Sequence, residues 1–333
     1  MIARVNGIRN ANQNSDYQIL GIGTPILDYL LSVSDEYVES LGLRGGSILI
    51  DYKDLQKILS NQSSIEKISA GGSAANTLKG LAQLGHSCGI IGKTGQDEAA
   101  RQFTENMKHY GVFPHLSIST LPTAQVACLI TPDHERTMRA YIGAGAEMNA
   151  SDMTIDFFKN VNLVHIEGYL INRQGVVEKA MKLAKKAKAK ISFDLSSFEI
   201  IDEYREAMQI LLKGYVDIVF ANAEEAQMLT GFPPEEACML LRDLCGTAIV
   251  KMGDKGCWGA TKTEKVFHPA YQVKVVDTTG AGDLFASGFL HGFLLNKSLE
   301  ESLRYGSLVA SYVIQTFGAE VPLPKWPEIR KSL

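Results

Sequence analysis

The pattern of apolar and polar positions becomes regular from Val161 onward. Strand-like runs at Leu163–Ile166, Ile191–Asp194, Ile218–Phe220 and Ala248–Met252 alternate with helical spacings at Val176–Lys188, Tyr204–Lys213, Ala223–Leu229 and Pro234–Leu244. Such alternation predicts a mostly parallel sheet with helices on both faces. An earlier run, Gln18–Gly23, predicts the first strand. The rhythm then breaks: Asp35–Leu41 predicts a short helix, Ser47–Ile50 a strand and Asp54–Leu59 another helix. A helix opening after Gly71-Gly72 closes at Gly85, and Glu98–Tyr110 closes at Gly111. Gln125–Ile130 and Arg136–Tyr141 flank the turn-forming Thr131-Pro132-Asp133-His134-Glu135, a hairpin pattern. A β-rich run, Tyr271–Val276, leads into a Gly-rich turn and an apolar helix, Leu284–Leu295. The last helix, Leu299–Thr316, stops at Gly318, with Pro322 and Pro324 beyond. No internal repeat or low-complexity linker divides the chain, so one α/β domain is expected.

Composition narrows the function. The 333 residues are 45% hydrophobic and 21% charged, enough for one large folded core. The net charge of −4 gives no basic excess for nucleic acid, and Lys182, Lys185, Lys186, Lys188 and Lys190 read as one solvated helix face. Cys88, Cys128, Cys238, Cys245 and Cys257 are odd in number and irregular in spacing, which predicts reduced thiols in a cytoplasm rather than disulfides or zinc. Met1–Asp16 is Asn-rich without a signal-peptide core and is expected to be a mobile tail. No run of about 18 apolar residues exists to span a membrane.

Two nucleotide fingerprints fail. Gly21-x-Gly23 would need a third glycine at Ile26, and Gly92-Lys93-Thr94 would need a first glycine at Ser87. The candidate chemistry lies in Asp277-Thr278-Thr279-Gly280-Ala281-Gly282-Asp283. Small residues there leave helix-start N–H groups uncovered, and those groups attract anions. Asp283, in the first helical turn, is either a helix-start acid or a base awaiting a substrate proton. Asp28 falls just past the first strand, as a turn acid or in the ligand region of an open α/β sheet. Asn76 lies one turn into a helix that starts with small residues. Asn222 and Glu225 fit a capping box as well as a metal environment.

Asp-Thr-Thr-Gly-Ala-Gly-Asp (277–283) and the earlier Gly-Gly-x-x-x-Asn (71–76) together resemble the two signatures of the PfkB (ribokinase-like) carbohydrate and nucleoside kinases. The resemblance implies a ribokinase-like α/β domain over 17–333, after the 1–16 tail. Its β-sheet lid would come from inserts at about 25–55 and 115–145. It implies Asp283 as catalytic base, with Gly280, Ala281 and Gly282 forming the anion hole for the transferred phosphoryl group. Asp28, Gly72 and Asn76 would hold substrate hydroxyls. Asn222, Lys251, Gly253, Gly256, Ser307 and Ala310 would serve ATP, and Glu225 would reach Mg²⁺ through water. Asp277, Thr279 and the Gly318 region are where relatives hold a monovalent cation such as K⁺, usually through carbonyls. Arg136 and Arg139 could reach substrate or phosphate, or be solvated hairpin charges. A homodimer through the lid is a further expectation. The acceptor is expected to be a sugar hydroxyl; the insert, Gly-Thr-Pro-Ile-Leu-Asp (23–28) and Thr-Pro-Asp-His-Glu-Arg-Thr-Met (131–138) resemble bacterial adenosine kinase-like members, which keeps a nucleoside open. A catalytically silent sensor of the same ligands is the alternative of a different class, and a dehydrogenase a third, weakened by Ile26.

Overall fold

The computed structural model describes residues 17–60, 64–133 and 135–333; the tail expected over 1–16 and His134 of the predicted turn lie outside the described residues. Strand β1 (Ile19–Ile22) is buried throughout. Pro25 breaks it, and the chain leaves for β2 (Ile26–Ser32), α1 (Asp35–Ser40), β3 (Ser47–Leu49), α2 (Tyr52–Leu59) and β4 (Ile65–Gly71). It returns through α3 (Ser73–Gln83) to β5 (Cys88–Thr94), then α4 (Glu98–His109) and β6 (Val112–Ile118). The predicted hairpin forms as β7 (Ala124–Ile130) and β8 (Arg136–Tyr141). The regular half runs β9 (Leu163–Glu167), α5 (Val176–Lys186), β10 (Lys190–Asp194), α6 (Phe198–Tyr215), β11 (Ile218–Asn222), α7 (Ala223–Thr230), α8 (Pro234–Cys245), β12 (Thr247–Lys251), β13 (Cys257–Ala260) and β14 (Lys265–His268). Helices α9 (Ala281–Leu294), α10 (Leu299–Val313) and α11 (Trp326–Ser332) complete it.

These strands make a nine-stranded sheet, ordered β14-β13-β12-β11-β10-β9-β1-β5-β6, and a five-stranded sheet, ordered β3-β8-β7-β2-β4. The pairings from β12 through β6 are parallel, and β13 and β14 add antiparallel at one edge. Successive residues of each central strand face opposite layers. Leu163, Ile218, Phe220 and Ile249 pack with Leu78 and Phe289 on one side. Val164, Ile166, Val219 and Val250 pack with Met181 and Leu241 on the other.

The same alternation governs the second sheet. Tyr29, Leu31, Ala127 and Leu129 join Val38, Leu55 and Leu59 in a separate apolar cluster. Ile26, Asp28, Leu30, Val126, Cys128 and Met138 face the space between the sheets. This sheet is the lid, and it also takes in β4, which lies outside both inserts read from the sequence.

Three sequence expectations are corrected. Asp28 does not follow the first strand; it lies within β2, because Pro25 ends one strand and the chain at once starts another in the other sheet. Tyr271–Val276 forms no strand: the Val276 amide bonds to the Ile314 carbonyl at 2.7 Å, and Tyr271, Gln272, Val273 and Val275 line a cavity instead. The helix expected from Tyr204 begins at Phe198, capped by Ser197, with Tyr204 marking a kink inside it (φ −116°, ψ 24°). Gly92-Lys93-Thr94 is extended within β5, and Lys93 is ion-paired to Asp152 at 3.1 Å, which agrees with rejecting a phosphate loop.

Candidate active site

The parallel strands place polar residues at their C-terminal ends. Glu167 ends β9, Asp194 ends β10, Asn222 ends β11 and Lys251 ends β12, while Thr24 follows β1. All five line a cavity of about 1310 Å³ between this edge and the lid sheet. Strand β1 sits between β5 and β9, the point from which the chain builds the sheet outward in both directions. Open α/β sheets bind ligands outside the carboxyl ends of their strands at such a switch point.

Asp283 is the third residue of α9, whose N-cap is Gly280 at φ +73°. Its half-buried carboxylate lines the cavity. Ser73 Oγ donates to Oδ1 at 2.8 Å and Asn76 Nδ2 to Oδ2 at 2.9 Å. Burial raises its pKa above the usual carboxylate range; the Asn76 hydrogen bond opposes the rise and Asp194 adds to it. The Ala281 amide donates to the Thr278 carbonyl at 3.2 Å, so the Gly282 and Asp283 amides are left without a partner inside the helix. A Cβ added to Gly282 would lie 3.0 Å from Lys251 Nζ, so this glycine leaves room for the ammonium at the helix start. Lys251 in turn donates to Asp194 at 3.1 Å.

Asp28 faces Asp283 from the lid side of the cavity. Burial pushes its carboxyl up to about 7, with Glu320 and Asp283 adding to the rise and Lys79 opposing it. Gly72, the N-cap of α3, also lines the cavity. Asn76 does not: it is 5% exposed and its amide donor is spent on Asp283. Its observed contact is therefore with the neighbouring carboxylate rather than with open ligand space.

Asn222 and Glu225 form a complete capping box. The Asn222 amide and Nδ2 donate to Glu225 at 2.7 and 2.8 Å, and the Glu225 amide donates to Asn222 Oδ1 at 2.8 Å. Glu225 nevertheless faces the cavity, and burial together with Asp194 raises its pKa while Lys251 opposes that. Gly253, Gly256, Ser307 and Ala310 all line the cavity. Asp277 Oδ1 accepts from Thr279 N (2.8 Å), Thr279 Oγ1 (2.7 Å) and the Arg136 guanidinium (2.7 Å); Oδ2 accepts from Gly318 N (2.8 Å). Arg136 therefore stands at the site, whereas Arg139 is 2% exposed and donates to the Leu43 carbonyl at 2.7 Å.

Residues 45–326 match the model of the pfkB family of carbohydrate kinases. The chain belongs to that family. A probable sugar kinase from Rhizobium etli CFN 42 is 31% identical and superposes with a TM-score of 0.86 over 96% of this chain and 98% of its own. An adenosine kinase from Sinorhizobium meliloti is equally similar, at 31% identity and TM-score 0.86 over 95% and 99%. The 5-dehydro-2-deoxygluconokinase of Bacillus subtilis is 29% identical over 79% of this chain and 86% of its own. This pfkB-family protein is thus a phosphotransferase with an alcohol group as acceptor, of ribokinase-like fold, and its family uses ATP.

Three of the pfkB-family chain's cavity residues went unread in its sequence. Glu167, 2% exposed, accepts from the Thr24 amide at 2.7 Å and the Ala74 amide at 3.2 Å, at the start of α3. Burial pushes it up to about 7, although those amides pull the other way. Asp194 anchors Lys251, and Ser73 holds Asp283. Glu167 and Asp194 each end an apolar strand run, and that position was the available signal.

Proposed function

We propose that the chain moves the γ-phosphoryl group of ATP to a primary hydroxyl of a sugar, with Asp283 as the base. The observation that carries this reading is Asp283 itself: a cavity-facing carboxylate at a helix start, beside two partnerless amides and a lysine. Asp283 takes the hydroxyl proton as the oxygen attacks phosphorus, and the bond to the leaving ADP oxygen breaks. The Gly282 and Asp283 amides, on the Gly280-Ala281-Gly282 turn, meet charge developing on the transferring oxygens, helped by Lys251. Ser73 and Asn76 hold Asp283 in its orientation, while Asp28 and Gly72 receive substrate hydroxyls. Ser307, Ala310, Gly253 and Gly256 border the nucleotide, and Asn222 fixes Glu225 at its phosphate end.

Among the described residues, no group of three His, Cys, Asp or Glu side chains could hold a metal ion. Both Glu225 oxygens are engaged in capping. Magnesium therefore enters as part of the Mg-ATP substrate, with Glu225 reaching it through water and the ion neutralising phosphate charge.

A second reading, a nucleoside acceptor, rests on the lid. Its cavity face carries Ile26, Leu30, Leu49, Val126, Met138 and Ile142, with Asp28 as its one carboxylate. Buried sugar hydroxyls need polar partners, whereas a base needs apolar cover. A thermal-shift panel of sugars and nucleosides, with and without a non-hydrolysable ATP analogue, separates the two. An ADP-release assay on the hits then tests turnover. Binding with no ADP release from any hit would favour the silent sensor.

Cytoplasmic residence is supported by five buried cysteines, none in a disulfide. No helix among the described residues is long and apolar enough to cross a membrane. A homodimer through the lid is supported by the open edge of β4, where Ile68 is 41% exposed.

A further inference from the structure

Two cations of the lid reach down onto the loops that back the anion-binding turn. Arg136, the first residue of β8, bonds Asp277 Oδ1 at 2.7 Å and Thr278 Oγ1 at 2.8 Å. Lys67, on edge strand β4, bonds Glu320 at 3.2 Å and the Phe317 carbonyl at 3.4 Å. Glu320 is 7% exposed and also accepts from the buried Lys79 at 2.9 Å. These contacts grip two loops, 277–279 and 317–320, which are tied together by the Gly318 amide on Asp277.

The second loop is the rear wall of the turn. A Cβ added to Gly280 would lie 2.5 Å from Ala319 Cβ and 2.8 Å from its Cα. Ala319 thus packs directly against Gly280, and a shift of Ala319 toward the turn would press on it.

Relatives are expected to place a monovalent cation between these loops. Here the donor set does not suit one. The Asp277 carboxylate already carries three N–H or O–H donors beside the Arg136 guanidinium. The Phe317 carbonyl already accepts the Lys67 ammonium. An added cation would displace these groups or lie against like charge.

We propose that Arg136 and Lys67 are built-in cations of this site. They hold the two loops, and through Ala319 the anion-binding turn, so that phosphoryl transfer needs no K⁺ or Na⁺. Arg136 is in this sense a positioning residue, acting through Asp277 and Thr278 rather than on the reacting atoms.

The role in transfer rests on the kinase reading; the cation independence of the fold is measured separately. The melting temperature of the full chain is compared in KCl, NaCl and tetramethylammonium chloride at equal ionic strength. The three values are expected to agree within about 1 °C, and a saturable rise above about 3 °C specific to K⁺ or Na⁺ overturns the proposal. Turnover with Mg-ATP is expected to differ less than about twofold among the salts, and activation of about tenfold or more by K⁺ or Na⁺ overturns it. Arg136→Gln is expected to lose about 10- to 100-fold in kcat with acceptor KM changed less than about threefold, and to regain part of that loss in KCl. A variant that keeps kcat, or loses it with no response to KCl, overturns the positioning role. If Arg136→Gln fails to fold, Lys67→Gln carries the same arm. Absence of product with any acceptor in every salt counts against the kinase reading alone, while the melting comparison still decides the clasp.

Discussion

Asp283 draws its two side-chain donors from one neighbouring helix, Ser73 and Asn76 of α3. A base so held should be replaceable without disturbing binding. Asp283→Asn is expected to lower kcat by about 10²- to 10⁴-fold while the thermal shift given by the acceptor stays nearly constant. Parallel loss of both would make Asp283 a structural or substrate-gripping group. The Asn76 hydrogen bond also favours the ionised carboxylate against burial. Only that form accepts a proton, so kcat/KM should fall in acid as Asp283 protonates. Asn76→Ala should move this acid limb to higher pH, read from the pH–rate profile; an unmoved limb would disconnect Asn76 from the base. Asp283 was legible in the sequence because it ends a string of distinctive small residues. The target of Asn76 was not, since its partner lies 207 positions away and no local pattern encodes such a contact. Glu225 was readable as a cap or as part of a metal environment, and its spacing alone could not choose between those roles.

The turn and helix at 277–294 do at element scale what their glycines permit. Gly280 has φ +73° and faces the Ala319 backbone, whereas Gly282 lies inside α9 and faces only the movable end of Lys251. Gly280→Ala should therefore destabilise the fold by roughly 2–4 kcal/mol in urea melts. Gly282→Ala should leave stability within about 1 kcal/mol, because a lysine terminus can shift, yet lower kcat by moving Lys251. Equal destabilisation by both would refute this account of the turn. The βα rhythm from β9 to β12 was readable because buried parallel strands are continuous apolar runs. Tyr271–Val276 carries the same β-prone residues without becoming a strand. Propensity reports an extended segment, and the rim of a cavity accommodates one as well as a ladder does. Strands β6 and β14 were missed for the converse reason: they lie at the sheet edges, where Phe113, Ile118 and Phe267 are exposed.

Across the whole molecule, buried acids converge on one cavity. Asp28 and Glu167 each rise to about 7, chiefly through burial. An acid with a raised folded pKa binds more protons folded than unfolded between its unfolded value and about 7, so stability falls as pH climbs through that window. The unliganded protein should melt about 5 °C lower at pH 8 than at pH 5.5. Glu167→Gln should flatten that slope, and a slope unchanged by the substitution would remove Glu167 from the account. The two-sheet plan was legible only as a broken rhythm with an added hairpin; the place of β4 in the lid was not, because its alternation is obscured by its Ser-Ala-Gly end, which runs straight on to the start of α3. The lid's outer face has α1 and α2 as permanent cover, and its inner face has none of its own. Cargo thus completes the upholstery of that small sheet. Amide hydrogens of β2, β7 and β8 should exchange quickly in the empty protein and slow sharply once acceptor and nucleotide are aboard, while those of β9 to β12 hardly notice.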